Sequence, residues 1–316
     1  MKTVLFHREF LRFQGGHLKV WQYFNHVRSS PDHHAVVRFT ADSVWDDTNP
    51  WRPVREEVLP WDEPVDADIL FVAGRDWRWL DPEDRAESPL PVLNLLQHVL
   101  HASPDDPLGR RRFLPNKAIR ICTSSESAKA INGTGIVRGP VFAIPNAIDL
   151  DEIRQVPRPP ARDIDLLVLA TKQAPLGRRL APRLEQPGRV LDLIRREVHR
   201  SELLARMARA RVTLYLPNRL EGFYIPALEG MALGTLVVCP DSVGNRSFCR
   251  DGENCLMPPY EEDAIVAAAD LALREHDRLG ALVEGGHEAA RAHDLEHERV
   301  AFLDVLGRVD ELWAGA

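Results

Sequence analysis

Glu221 and Glu229 stand eight positions apart in the stretch RLEGFYIPALEGMALGTLVVCPDSVG (219–244), with a glycine, two aromatic residues and a proline between them. A carboxylate accepts hydrogen bonds in pairs, which suits it to neighbouring hydroxyl groups. Gly222 permits close backbone approach, and Pro226 occupies a natural first helical position. Free amides of residues 222 to 226 and the helix dipole would favour an anion at that turn, with Glu229 in the first helical turn and aimed at the same place. A carboxylate on each side of a phosphate would repel it, so both glutamates are better suited to hydroxyls. Phosphate in the middle with polyols on both sides describes a nucleotide sugar. Spacing alone allows a plainer reading beside it, in which Glu229 complements the helix dipole and Glu221 is a solvated loop residue.

The elements that must position this turn are a buried strand, VTLYLP, before it and a helix through ALEGMALG after it. The same alternation runs along the chain. TVLF (3–6), HAVVRF (34–39), ADILFVAG (67–74), AIRICTSS (118–125) and VFAIPNAI (141–148) alternate with helical stretches. After the Pro/Arg-rich RQVPRPPARD (154–163), suited to a linker, DIDLLVLAT (163–171), GRVLDLI (188–194), ARVTLYLP (210–217) and GTLVVCP (234–240) continue it. This is the pattern of parallel βαβ units, and it predicts an α/β protein of two doubly wound domains, 1–150 and 151–316. The charged tail from Tyr260 onward is expected to form surface helices, some packing back across the domain junction.

Composition narrows the partners. The 316 residues are 44% hydrophobic and carry a formal net charge of −7, which suits two buried cores and argues against a surface for nucleic acid over the whole protein. The four cysteines lack paired spacing and read as reduced, structural thiols. His7, Arg8 and Glu9 interrupt the start before a signal-peptide core, and no run approaches the roughly 20 apolar residues of a membrane span, so the expected location is the cytoplasm.

The stretch EGFYIPALEGMALGTLVV (221–238) resembles the Glu-x7-Glu segment of retaining glycosyltransferases of the GT-B fold, in particular family 4, the glycosyl transferases group 1 type. It keeps both glutamates, Phe223, Pro226, Met231, Ala232 and Gly234. AIPNAIDLDEI (143–153), ICTSSESAKAI (121–131) and RDGENCLMPPYEEDAIVAAADLAL (250–273) are similar to further family segments, in the family's order. The resemblance implies two Rossmann-like domains facing a central cleft, the first for the acceptor and the second for the donor. It also implies transfer of a hexose from a nucleoside-diphosphate donor to an acceptor hydroxyl with retention of anomeric configuration. The acceptor would be a carbohydrate or small molecule, with peripheral membrane association only where that acceptor is lipid-linked.

Carried over position by position, the resemblance gives Glu229 the donor ribose and Glu221 the transferred sugar. It gives Gly222, Phe223 and Tyr224 the sugar and diphosphate. Tyr224 stands where the family usually has glycine, which bears on the shape of the sugar pocket. Lys172 and Arg178 are the candidates for the cations that neutralise the diphosphate, at a shifted spacing; a solvated helix face is the plainer reading of the arginine. In the first domain, FQGGHLK (13–19) looks like the family's glycine-rich loop, with Gly15 and Gly16 approaching donor or acceptor, and His98 matches its histidine. Six of the seven tryptophans fall within 21–79, where core packing is favoured over a sugar-stacking role.

No metal and no cofactor beyond the donor are expected. Of the Asp-x-Asp triplets at 66–68, 149–151 and 163–165, the first and third precede their strands, at the end opposite the ligand crevice. Two carboxylates serving hydroxyls do not make a glycosidase pair. The competing readings are a nucleotide-sugar epimerase on the same fold and a nucleotide- or sugar-binding protein without catalysis.

Overall fold

The computed structural model describes residues 1–13, 15–74, 76–80 and 88–316. It divides into one compact unit of Met1–Pro145 with Glu298–Ala316, and a second of Asn146–His297.

The first unit holds six parallel strands, β1 (Lys2–Arg8), β2 (His33–Phe39), β3 (Ile69–Ala73), β4 (Val92–Leu96), β5 (Ile119–Cys122) and β6 (Val141–Ala143), in the order β2-β1-β3-β4-β5-β6. The second holds β7 (Ile164–Leu169), β8 (Leu191–Ile194), β9 (Ala210–Tyr215) and β10 (Leu236–Val238), parallel in the order β10-β9-β7-β8. Runs such as Leu166–Leu169 and Leu93–Leu96 are apolar almost throughout because helices cover both faces of a parallel sheet. In each sheet the chain first adds a strand on one side of its starting strand and then returns to the other. The crevices that this reversal opens lie at the carboxyl ends of β1 and β3 in one unit and of β7 and β9 in the other.

The tail helices part company at residue 297. The helix Gly280–Ala292 packs in the second unit, where Gly286 lies against Met231. Phe302, Val305, Leu306 and Val309 join the first unit's core with Phe6, Tyr23 and Phe71, so the span expected to close the second domain returns to the first. A buried charge cluster fixes that return: Glu298 takes Lys19 at 2.5 Å and His26 at 3.0 Å, with Lys19 and Glu298 side chains fully buried. Burial weakens the Lys19 charge, and the Glu298 carboxylate opposes that effect.

The Pro/Arg-rich stretch is not a free linker. Its Arg162 donates to the carbonyls of Met207, Ala208, Ala210, Leu233 and Gly234, which ties it to the second unit. Trp51 sits in the first core against Phe6, Trp21, Phe24 and Phe39, in keeping with the packing reading of the tryptophans. All four cysteines are buried and unbridged. No helix among the described residues is long and apolar enough to cross a membrane.

Glu298→Ala removes the carboxylate from a fully buried ammonium, which should cost about 3–5 kcal/mol. All seven tryptophans lie in the first unit, so their fluorescence during guanidinium unfolding reads that unit alone, and its midpoint should fall while far-ultraviolet dichroism keeps a later transition from the second.

Candidate functional site

The second unit's crevice is built by the segments that leave β7 and β9. After β7 come Thr171, Lys172 and Gln173, then the helix Ala174–Leu184. After β9 come Leu216 to Tyr224, then the helix Ile225–Ala232. A hydrogen bond from Gln173 Nε2 to Asn218 Oδ1 at 2.9 Å joins the two loops. Asn218 in turn donates to Glu221 Oε2 through its backbone and its side chain, both at 3.4 Å. Glu221, half-buried, therefore stands at the mouth of the switch-point crevice on the same side as Lys172.

Below it the turn is a dense piece of backbone. A Cβ on Gly244 would come within 2.5 Å of the Gly222 carbonyl carbon and 2.6 Å of the Glu221 oxygen, so only glycine lets the 243–247 turn lie against this peptide. Val243 N–H to Arg219 O at 3.1 Å ties that turn to the loop after β9. Phe223 packs on Phe248 at 4.8 Å and on His293 at 5.9 Å.

Three consecutive amides, those of Gly222, Phe223 and Tyr224, have no acceptor among the described residues. The expected run of free amides to 226 is shorter in the structure: Ile225 N–H bonds Phe223 O at 3.2 Å, and Pro226 has no N–H. Three unpaired donors beside a helix start still form a place for anionic or carbonyl oxygen.

Tyr224, the N-cap residue, has φ −93°, a backbone conformation open to any residue. Its ring is buried in the core with Tyr215 at 6.0 Å, and its hydroxyl has no hydrogen-bond partner among the described residues. The departure from glycine therefore fills the core beneath the turn. Burial raises both phenols well above their ordinary range, so both are neutral.

Glu229 is not a solvated dipole partner. It lies in the second turn of its helix, beyond the first turn in which the spacing put it, and is only 1% exposed. Its Oε1 accepts from Arg200 Nη1 at 2.6 Å. Arg200, the first residue of the helix Arg200–Arg209, also grips Glu152 on the helix Leu150–Gln155, with Nε at 2.9 and 3.1 Å and Nη2 at 2.7 Å. Burial opposes the Arg200 charge, but the carboxylates of Glu229 and Glu152 more than offset it, holding the guanidinium above its ordinary range. Sequence reasoning missed Arg200, Glu152 and Gln173. Glu152 lies inside AIPNAIDLDEI, but nothing in the spacing pairs it with a residue 48 positions on.

The two cation candidates differ in place. Lys172 is exposed in the loop after β7. Arg178 is exposed on the following helix, with no bond to either glutamate among the described residues, while its neighbour Arg179 pairs with Glu262 at 2.8 Å. A hollow of about 240 Å³ beside them is lined by Gln173, Pro175, Arg179, Arg219, Tyr260 and Glu262, among others, and not by Glu221 or Glu229.

In the first unit, Gly15 and Gly16 are the opening residues of the helix Gly15–Arg28 rather than a loop, and Gly16 O accepts from Gln97 Nε2 at 3.2 Å. Gln14, between Phe13 and Gly15 in FQGGHLK, lies outside the described residues. His98 follows β4 and caps a short turn, its Nδ1 accepting from Leu100 N–H at 3.1 Å. Close by, Arg8 at the end of β1 pairs with Asp76 and meets His17 Nδ1 at 2.9 Å. Burial and the Arg8 charge push His17 down to about 3, which keeps that imidazole neutral.

The three Asp-x-Asp triplets have structural duties. Asp68 accepts from Thr3 N–H, and Asp149 caps its helix through Glu152 N–H. Asp163 is bidentate to Arg209 at 2.6 and 2.9 Å, and Asp165 pairs with Arg211 at 3.2 Å.

If the 244–222 contact holds the turn, Gly244→Ala should cost roughly 1–3 kcal/mol by overpacking. The check is the thermal midpoint, which should drop by several degrees, against Gly280→Ala at a helix start as a comparison with no left-handed backbone and no neighbour within 4 Å.

Comparisons with known proteins bear on the family and the fold. Residues 195–288 match the family described as Glycosyl transferases group 1. No curated protein matches the sequence. Among solved structures, sucrose-phosphate synthase from Thermosynechococcus elongatus is similar with a TM-score of 0.72 at 13% identity, over 100% of both chains. HepE from Anabaena, in complex with UDP and glucose, gives 0.76 at 12% identity, over 97% of this chain and 100% of that one. A trehalose-6-phosphate synthase studied for glycosyl transfer with retention gives 0.68 at 11%, over 96% and 99%. The chain thus has the GT-B fold, two Rossmann-like units of parallel α/β structure, and its residues 195–288 match a glycosyl transferases group 1 domain.

Proposed function

We propose that this protein is a glycosyltransferase that moves a sugar from a nucleoside-diphosphate donor to an acceptor hydroxyl with retention of anomeric configuration. The observation that carries the reading is the pairing of Glu221 and Glu229 around three free amides at the carboxyl end of β7 and β9. HepE, with the same fold, is described in complex with UDP-glucose, and the trehalose-6-phosphate synthase with glycosyl transfer with retention.

In this reading the amides of Gly222, Phe223 and Tyr224 receive sugar and diphosphate oxygen, Glu221 accepts from hydroxyls of the transferred sugar, and Glu229 accepts from the ribose. Lys172 and Arg178 supply positive charge to the departing diphosphate, the largest electrostatic task of the reaction. The leaving phosphate oxygen takes the acceptor's proton on the face where the new bond forms, so no protein nucleophile is required, and Gly15, Gly16 and His98 belong to the acceptor side. The donor is a substrate; no metal and no further cofactor enter the reading. The structural duties of all three Asp-x-Asp triplets support metal independence. Acceptor, hexose and base are left open by these residues, and a lipid-linked acceptor would bring the protein to a membrane surface from the cytoplasm.

The test is donor turnover. Release of nucleoside diphosphate from a sugar donor should rise with acceptor present and persist in EDTA; sugar conversion without transfer would mean an epimerase, and a nucleotide-induced thermal shift without turnover a binding protein. Glu221→Ala should abolish transfer while leaving nucleotide affinity within a few-fold, whereas Glu229→Ala should weaken nucleotide binding by roughly tenfold or more. Negligible effects of both substitutions would sink the assignment.

A further inference from the structure

The Glu152–Arg200–Glu229 chain is the tightest ionic arrangement beside the candidate site, and none of the spacing arguments uses it. Glu229 is a carboxylate at 1% exposure, where one charge requires another. Arg200 satisfies it from one end of a guanidinium whose other edge is bonded to Glu152. A guanidinium held along one edge by a carboxylate has a fixed plane, and so a fixed direction for its remaining donors. The helices carrying the three residues meet where Glu229 turns inward, with the neutral phenol of Tyr215 below.

We infer that Arg200 is a positioning residue for Glu229: clamped by Glu152, it binds Oε1 and leaves Oε2 as the acceptor for a ribose hydroxyl pair, and so sets the preference for ribonucleotide over 2′-deoxyribonucleotide donors. The inference rests on the reading that Glu229 serves the donor ribose. Oε2 has no hydrogen-bond partner among the described residues, while Oε1 is taken at 2.6 Å. A lysine in place of Arg200 would supply charge but could not hold Glu152 along one edge while reaching Glu229 with a further donor. Charge alone and orientation are therefore separable by substitution.

The experiment measures dissociation constants of the full chain for uridine, adenosine and guanosine diphosphates and for their 2′-deoxy counterparts by calorimetry. The wild type should bind the ribo form of its preferred base roughly tenfold more tightly than the deoxy form, the worth of one well-placed hydrogen bond to a charged group. Arg200→Lys and Arg200→Met should bring that ratio close to one, as Glu229→Gln should. Glu152→Gln, which keeps shape and only loosens the clamp, should give an intermediate ratio; its thermal midpoint and that of Arg200→Lys show that the fold is retained. A wild type that discriminates, with the same ratio in Arg200→Lys, Arg200→Met and Glu152→Gln, overturns the role of Arg200 and leaves the ribose reading standing. A wild type that binds nucleoside diphosphates without distinguishing ribo from deoxy overturns the ribose reading, and the inference with it.

Discussion

The second unit depends on the pairing of β7 with β9, Ile164 opposite Ala210 through Leu169 opposite Tyr215. These strands are separated in sequence by β8 and two helices, and β8 and β9 lie on opposite sides of β7. Because both run the same way, their exits open at one end of the sheet, and because their onward helices go to different faces, the exits diverge and leave a crevice. Gln173 and Asn218 close the distance between the two loops with a single hydrogen bond. The free amides of 222–224 follow from this geometry: they belong to a loop lying above a sheet end, where no further strand is available to accept from them.

Buried and half-buried cations are the second organising feature, and the chain handles them in two ways. Arg120 and Arg162 spread their donors over backbone carbonyls, Arg120 over Phe113, Leu114, Asn116, Ala118 and Arg138, which converts unsatisfied loop and helix ends into fixed ones. Lys19 and Arg200 instead meet carboxylates, Glu298 and Glu229. The carbonyl type needs no partner charge and tolerates drift in its surroundings. The ion-paired type leaves a costly orphan when either partner is lost, so it fixes specific long-range geometry: the return of the chain to the first unit in one case, the direction of a candidate ligand residue in the other.

Strands were the most legible part of the sequence, because a parallel sheet covered on both faces demands short, continuous apolar runs, and DIDLLVLAT, ARVTLYLP and HAVVRF are such runs. The turn around Gly222 was legible for a related reason, since glycine, proline and the flanking carboxylates each have a local duty that spacing reveals. Arg200 was opaque. It is one of many arginines on charged helices, and what distinguishes it is only that three helices distant in sequence bring Glu152 and Glu229 to it. The fate of the tail was partly legible for the opposite reason. Helical spacing in 295–307 is plain, but which core receives Phe302 and Leu306 depends on partners outside the tail, Lys19 and His26 for Glu298 and the aromatic surface of Phe71 and Tyr23 for Phe302.

Tyr224 shows how a departure from a motif can lie on the side that ligands do not see. A residue at that position contributes two separate things, a backbone amide and a side chain. With φ −93° the backbone needs no glycine, and its amide stays without an acceptor, as do those of its two predecessors. The side chain goes the other way, into the core, against Tyr215. Tyr215 also presses on the helix below: a Cβ on Gly230 would come within 1.9 Å of its hydroxyl oxygen. The two tyrosines and the missing side chain at 230 are therefore one packing unit beneath the turn. A large side chain at 224 takes freedom from the turn without entering the space above it, and that loss of freedom falls on the amides that the site holds out for a ligand.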